Sequence, residues 1–209
     1  VAKEQKTMEQ TDKTKKITIV AFGDSLTVGH QSPTIRTPWF QDTPYAEFLE
    51  KMITAYQTRF IVKGINGELT SQMLERFQED VLDKKPNYVI ILGGSNDLGW
   101  GVGVQAIMDN LLTMYQQAIA AGIQPIAVTV PSIRGYDPLI PPRIALNNKI
   151  QETCKKLAMP CIDLFTATAE PKTQRLAEVY SNDGLHLTTR GYQLLAEKLY
   201  HEFFKNLQP

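Results

Sequence analysis

Five short, largely apolar runs recur along the chain at 17–22 (ITIVAF), 59–62 (RFIV), 87–92 (NYVIIL), 124–130 (QPIAVTV) and 160–164 (PCIDL), with helical patterns between them. A strand that is apolar throughout is buried on both faces, as in a parallel sheet covered by helices. The intervening stretches 44–57, 70–83, 104–121, 143–158 and 189–206 read as helices. In 44–57, Pro44 opens the pattern and Tyr45, Phe48, Leu49, Met52 and Ile53 fall on one face. Gly122 stops the third stretch, and Thr188 and Thr189 offer an N-cap for the last. Strands alternating with helices predict an α/β fold, a three-layer α/β/α sandwich with a five-stranded parallel sheet and right-handed crossovers.

That architecture gives the loops a common address, because sites in open parallel sheets form beyond the carboxyl ends of the strands. Gly23-Asp24-Ser25-Leu26 follows the first strand, Gly64-Ile65-Asn66-Gly67 the second and Gly93-Gly94-Ser95-Asn96-Asp97 the third. Asp183-Gly184-Leu185-His186 precedes the last helix and has to return to the same edge. A serine hydroxyl becomes a useful nucleophile when an imidazole takes its proton, and the imidazole needs a partner to fix its tautomer. Ser25, His186 and Asp183 supply the three roles, and a three-residue spacing lets the carboxylate curl back onto the ring. The backbone N–H of Ser25 and of Gly67 and the side-chain amide of Asn96 are candidate oxyanion donors. Each residue also has a plainer reading: Ser25 as a helix cap, Gly67 as a tight turn, Asn96 as a turn former. His30 lies close after the nucleophile without an acidic partner at short spacing, and His201 sits on the terminal helix.

Together the segments resemble the GDSL or SGNH hydrolases, named for Ser, Gly, Asn and His in four separated blocks. Ser25, Gly67, Asn96 and His186 match the blocks in order, with Asp183 in the Asp-x-x-His pattern, and the resemblance covers residues 17 to about 206. In the second block Gly64 and Gly67 can both be aligned. The resemblance implies a flavodoxin-like sandwich and hydrolysis of esters or thioesters through an acyl-serine, without a cofactor.

The balance of the chain narrows the partners. Lys+Arg and Asp+Glu are both 22, so no net field draws the chain to nucleic acid or anionic lipid. No His-x-x-x-His, cysteine cluster or calcium-type acidic loop is present, and no metal is expected. No apolar run reaches the roughly 18 residues of a membrane span. Residues 1–16 are charged and read as a flexible tether before a single domain at 17–209. Val1 in place of Met suggests processing or trimming, with room for a preceding signal or lipid-anchor segment, so the expectation leans to export (periplasmic, secreted or lipid-anchored), otherwise cytoplasmic. Cys154 and Cys161 read as two buried thiols rather than a bridge.

Substrate choice is expected in the loops after the third and fourth strands. Trp100 stands among three glycines in 98–104 (LGWGVGV), and Tyr136 lies in the proline-rich 131–142 (PSIRGYDPLIPP). Both are candidate pocket residues, and both also fit surface or core-packed loops. Trp39 and Phe40, between Pro38 and Pro44, have the same two readings, with the structural one preferred. The apolar loops favour small hydrophobic acyl or aryl esters, with sugar O-deacetylation, lysophospholipid hydrolysis and thioester hydrolysis as alternatives within the family. A non-catalytic flavodoxin-like binding module accounts for the glycines but not for Asp183 and His186, and no phosphate-loop motif opens the first helix.

Overall fold

The computed structural model describes residues 15–207, so all but the last two residues of the expected tether lie outside the described residues. In chain order the elements are β1 (Lys16–Gly23), α1 (Ser25–Val28), β2 (His30–Gln31), β3 (Gln41–Asp42), α2 (Tyr45–Met52), β4 (Gln57–Gly64), α3 (Thr70–Glu75), α4 (Phe77–Asp80), β5 (Tyr88–Leu92), α5 (Ser95–Gly99), α6 (Val104–Ala120), β6 (Gln124–Val128), α7 (Ile140–Leu157), β7 (Cys161–Ile162), α8 (Leu164–Thr168) and α9 (Thr189–Glu202). Five strands form one parallel sheet in the order β4-β1-β5-β6-β7. This is the flavodoxin-like order, and it reverses direction between β1 and β5. Right-handed crossovers then place α2 on one face, where it packs on α9, and α3, α6 and α7 on the other.

The burial of each strand follows its place in the sheet. Ile19, Val20, Ala21 and Phe22 of β1 and Val89 to Leu92 of β5 are buried without a break, as central strands covered on both faces must be. The edge strand β4 mixes exposed and half-buried residues, with none fully buried, and starts at Gln57, two residues earlier than its apolar run suggests. Backbone pairing to β1 recruits the polar Gln57 and Thr58 there, opposite Lys16 and Ile17.

The helices depart from their sequence pattern at identifiable residues. The expected 70–83 helix is interrupted at Arg76, which ends α3 and precedes α4. Its guanidinium lies over the Phe22 ring at 4.2 Å, donates to the carbonyls of Gly23 and Lys63 at 3.1 and 3.2 Å, and pairs with Glu68 and with Asp80 at 2.9 Å. Helix α7 begins at Ile140 rather than 143, because Pro141 and Pro142 occupy its first turn, where a missing N–H costs nothing. The antiparallel pair of β2 and β3 has too few residues to show as a pattern. Cys154 and Cys161 are free thiols, and hydrogen bonding to Cys161 together with burial pushes the Cys154 thiol up.

Candidate active site

The turn after β1 puts Ser25 at the first position of α1, and the cap belongs to its neighbour. Asp24 Oδ1 accepts from the Leu26 N–H at 2.9 Å, which leaves the serine hydroxyl free for another partner. That partner is His186, whose Nε2 lies 3.1 Å from Ser25 Oγ. The opposite ring nitrogen, Nδ1, lies 2.7 Å from Asp183 Oδ2. A proton held on Nδ1 by the carboxylate leaves Nε2 with its lone pair toward the serine.

Asp183 is itself held from several sides. Its Oδ1 accepts from the N–H groups of Leu185 and His186, both at 2.8 Å, and Oδ2 accepts from Ser32 Oγ at 2.5 Å. Burial by itself would raise this carboxyl. The hydrogen bonds from His186, Ser32 and the two backbone N–H groups outweigh it and hold the group well below the usual carboxylate range. The intervening Gly184 has φ +83°, and a Cβ there would meet the Arg134 carbonyl oxygen at 2.2 Å. Only glycine permits the turn that brings Asp183 and His186 together against residue 134.

The next two strand ends complete the wall. Asn96 Nδ2 donates to the Glu68 carbonyl at 3.0 Å and stands 3.4 Å from Asp24 Oδ2, so the third block spans the turns of the first two. Asp97 secures the same junction by accepting from Thr70 N at 3.0 Å and Thr70 Oγ1 at 2.6 Å. Gly64 ends β4 packed against α1, where a Cβ would lie 2.6 Å from Val28 N. Gly67 has φ +77° in an exposed turn with open space where its Cβ would be. The two glycines aligned to the second block thus differ: Gly64 allows close packing, and Gly67 bends the loop that carries Glu68.

Residues 21–194 match the GDSL-like lipase/acylhydrolase family. The chain belongs to that family. The lipase/acylhydrolase of Enterococcus faecalis is 30% identical, with a TM-score of 0.75 over 92% of this chain and 98% of that one. An acetylxylan esterase of Geobacillus stearothermophilus, solved as a catalytic mutant, shares the fold at 17% identity, with a TM-score of 0.76 over 94% of this chain and 97% of that one. The uncharacterized lipoprotein YqeF of Bacillus subtilis (strain 168) is 36% identical over 128 residues, 56% of this chain. The match spans half of that lipoprotein's length.

In this GDSL-family site, several neighbours had no local signal. His30 sits edge-on to His186, with ring centroids 4.9 Å apart, and stacks on Phe40 at 5.1 Å. Asp42, on the paired strand β3, is 3.4 Å from His30 Nδ1 and supplies the acidic neighbour that its sequence spacing did not reveal. Gln31 fastens the β2–β3 pair to the start of α9 by accepting from Thr189 N at 2.9 Å. Trp39 and Phe40 are exposed rather than packed into the structure as expected. Asp24 is buried, and desolvation raises its carboxyl from 3.8 to about 7 against the opposing Leu26 N–H and His186.

A cleft of about 300 Å³ opens beside Asn96, with Trp100, Ile133, Leu139 and Leu185 among its walls. Trp100 is 80% exposed at the end of α5. Tyr136 is 58% exposed and does not line this cleft; Ile133 and Leu139 represent the 131–142 segment there. A larger hollow of about 580 Å³ lies between the end of α2 and the start of β4, with no serine or histidine in its lining. Among the described residues no group of three or more His, Cys, Asp or Glu is placed to hold a metal ion. No helix among them is long and apolar enough to cross a membrane.

Proposed function

We propose that the protein is a serine esterase that cleaves small carboxylic or thio esters in two acyl-transfer steps. The observation that carries this reading is the continuous chain from Ser25 Oγ to His186 Nε2 at 3.1 Å and from His186 Nδ1 to Asp183 Oδ2 at 2.7 Å. Ser25 Oγ attacks the ester carbonyl while Nε2 takes its proton. Asp183 keeps the ring in the required tautomer and stabilises its cationic form. His186 then gives the proton to the departing alcohol or thiol. Water repeats the attack on the acyl-serine, and the serine is regenerated.

The negative charge that develops on the carbonyl oxygen needs donors that are already in place. The N–H groups of Ser25 and Gly67 and Asn96 Nδ2 are assigned to it, and each such donor is worth about 3–4 kcal/mol of transition-state stabilisation. Asn96 is positioned in advance by its bond to the Glu68 carbonyl, and Glu68 by Arg76. A cleft of about 300 Å³ favours short acyl groups, since it lies at the lower end of ligand-site volumes. The lipoprotein relative supports an exported or lipid-anchored setting.

Release of nitrophenol from 4-nitrophenyl esters of increasing acyl length tests the proposal. The wild type is expected to hydrolyse the short esters, and Ser25→Ala and His186→Ala to fall to background. Equal rates in all three would overturn it.

A further inference from the structure

The cleft beside Asn96 has apolar walls but a polar floor that the hydrolytic mechanism does not use. Arg143, in the first turn of α7, is 1% exposed and lines this cleft. Its Nε and Nη1 are fully buried and find no hydrogen-bond partner. Ser95, 5% exposed, lines the same cleft, and its Oγ is likewise buried without a partner. Two side chains from different elements that line one cleft therefore each carry buried hydrogen-bonding groups without a partner. Folded proteins satisfy nearly all such groups, and an unpaired buried guanidinium is among the costliest exceptions.

The chemistry of the floor selects what can satisfy it. No carboxylate lines the cleft, and neither does a lysine or a second arginine. Burial pushes the Arg143 guanidinium down to about 10, with Asp24 opposing the shift, so it keeps its charge at neutral pH. The first turn of α7 contains no acidic residue, and its two prolines present no N–H, so the donors at this helix start come from the Arg143 side chain. A planar fork of charged N–H groups beside a hydroxyl matches a carboxylate, which Arg can hold by parallel hydrogen bonds. Which half of an ester reaches it follows from the catalytic geometry. Asn96, the assigned side-chain oxyanion donor, lines the same cleft, so the reacting carbonyl is placed at its mouth and the group that enters is taken as the acyl half.

Resting on the esterase reading, we propose that Arg143 and Ser95 form an acyl-side carboxylate subsite. The preferred substrates are then half-esters of short dicarboxylic acids. Trp100, Ile133, Leu139 and Leu185 cover the methylene groups between the scissile carbonyl and the terminal carboxylate. This subsite departs from the small hydrophobic acyl or aryl group that the loop sequences suggest: in it the apolar residues are walls, and the selective contact is a buried cation that no local pattern marks.

The test compares mono-4-nitrophenyl glutarate with 4-nitrophenyl pentanoate, which has the same chain length without the charge. The wild type is expected to favour the glutarate in kcat/KM by about 10- to 100-fold, the range of a hydrogen bond to a charged group. Arg143→Met is expected to reduce that ratio at least tenfold, with Arg143→Lys intermediate. A second measurement covers the case in which Arg143→Met does not fold: glutarate is expected to inhibit wild-type pentanoate hydrolysis competitively, and dimethyl glutarate to inhibit far less. Binding of glutarate to Ser25→Ala, read by calorimetry, tests the subsite without turnover. If Ser25→Ala hydrolyses both esters as fast as wild type while glutarate still binds, the esterase reading fails and the subsite stands. Equal kcat/KM for the two esters, an unchanged ratio in folded Arg143→Met, or glutarate neither binding nor inhibiting overturns the subsite.

Discussion

Replacing Asp183 by Asn exchanges one carboxylate oxygen for an amide nitrogen and is expected to lower kcat by about 10⁴. The geometry gives the reason. Oδ1 accepts two backbone N–H groups at 2.8 Å, so an asparagine oriented with its nitrogen there would set donors against donors. The amide oxygen therefore takes the Oδ1 position, and the NH2 group takes the place of Oδ2, which faces Ser32 Oγ and His186 Nδ1. An NH2 donor beside Nδ1 favours the tautomer with its proton on Nε2. The nitrogen 3.1 Å from Ser25 Oγ then cannot accept the serine proton. A loss of 10⁴ corresponds to roughly 5 kcal/mol of barrier. The assay is kcat for a short 4-nitrophenyl ester, with circular dichroism to establish that the variant is folded. The acid side of the stability profile gives a second readout. The wild-type carboxyl is held below its ordinary 3.8, so its contribution is present above about pH 4 and is lost as the pH falls through the folded value. Asp183→Asn is expected to flatten that acid limb. A folded variant with kcat within tenfold of wild type would refute the tautomer argument.

The remaining expectations concern the walls of the site. Asn96→Ala removes the proposed side-chain oxyanion donor and is expected to lower kcat by about 10²–10³, with a much smaller change in KM; an unchanged kcat would remove Asn96 from the mechanism. Asp24 is raised from 3.8 to about 7, so the wild type is expected to lose stability as the pH rises through that interval, by up to about 4 kcal/mol from this group. Urea midpoints at pH 5 and pH 8 should therefore differ less in Asp24→Asn, and an equal difference would mean that other groups set the slope. Gly184→Ala forces a Cβ to within 2.2 Å of the Arg134 carbonyl and is expected to cost about 2–4 kcal/mol, whereas Gly67→Ala meets open space and should cost about 1 kcal/mol. Thermal melts of the pair decide this, and equal losses would contradict the packing argument.

The legible and illegible parts of this protein divide by the range of the interactions that fix them. The runs ITIVAF and NYVIIL announced buried central strands, because residues covered on both faces have to be apolar whatever else surrounds them. Asp183 and His186 were legible as a pair because they stand three positions apart, and Ser25 because a glycine, an acid and a strand stand beside it. The Ser32 bond to Asp183 spans 151 residues, and nothing near either residue hints at the other. Asp42 reaches His30 only because β2 and β3 pair, in strands of two residues that carry no periodicity. Arg76 interrupts an otherwise continuous helical pattern because its guanidinium closes the carboxyl ends of β1 and β4, a demand set by the sheet and absent from the helix.

Sequence alone determined the alternation of buried strands and amphipathic helices, the ordered blocks that mark the family, and the local turns that carry Ser25 and the Asp183–His186 pair. Tertiary structure decided which glycine of the second block packs and which bends, which aromatic residue lines the cleft, and that Arg143 is buried beside it without a partner for Nε and Nη1. Strand burial and tight turns are set by neighbouring residues, whose identities are written side by side. The floor of a cleft is assembled from elements distant along the chain, and the unmet demand of a buried guanidinium exists only once the fold has enclosed it.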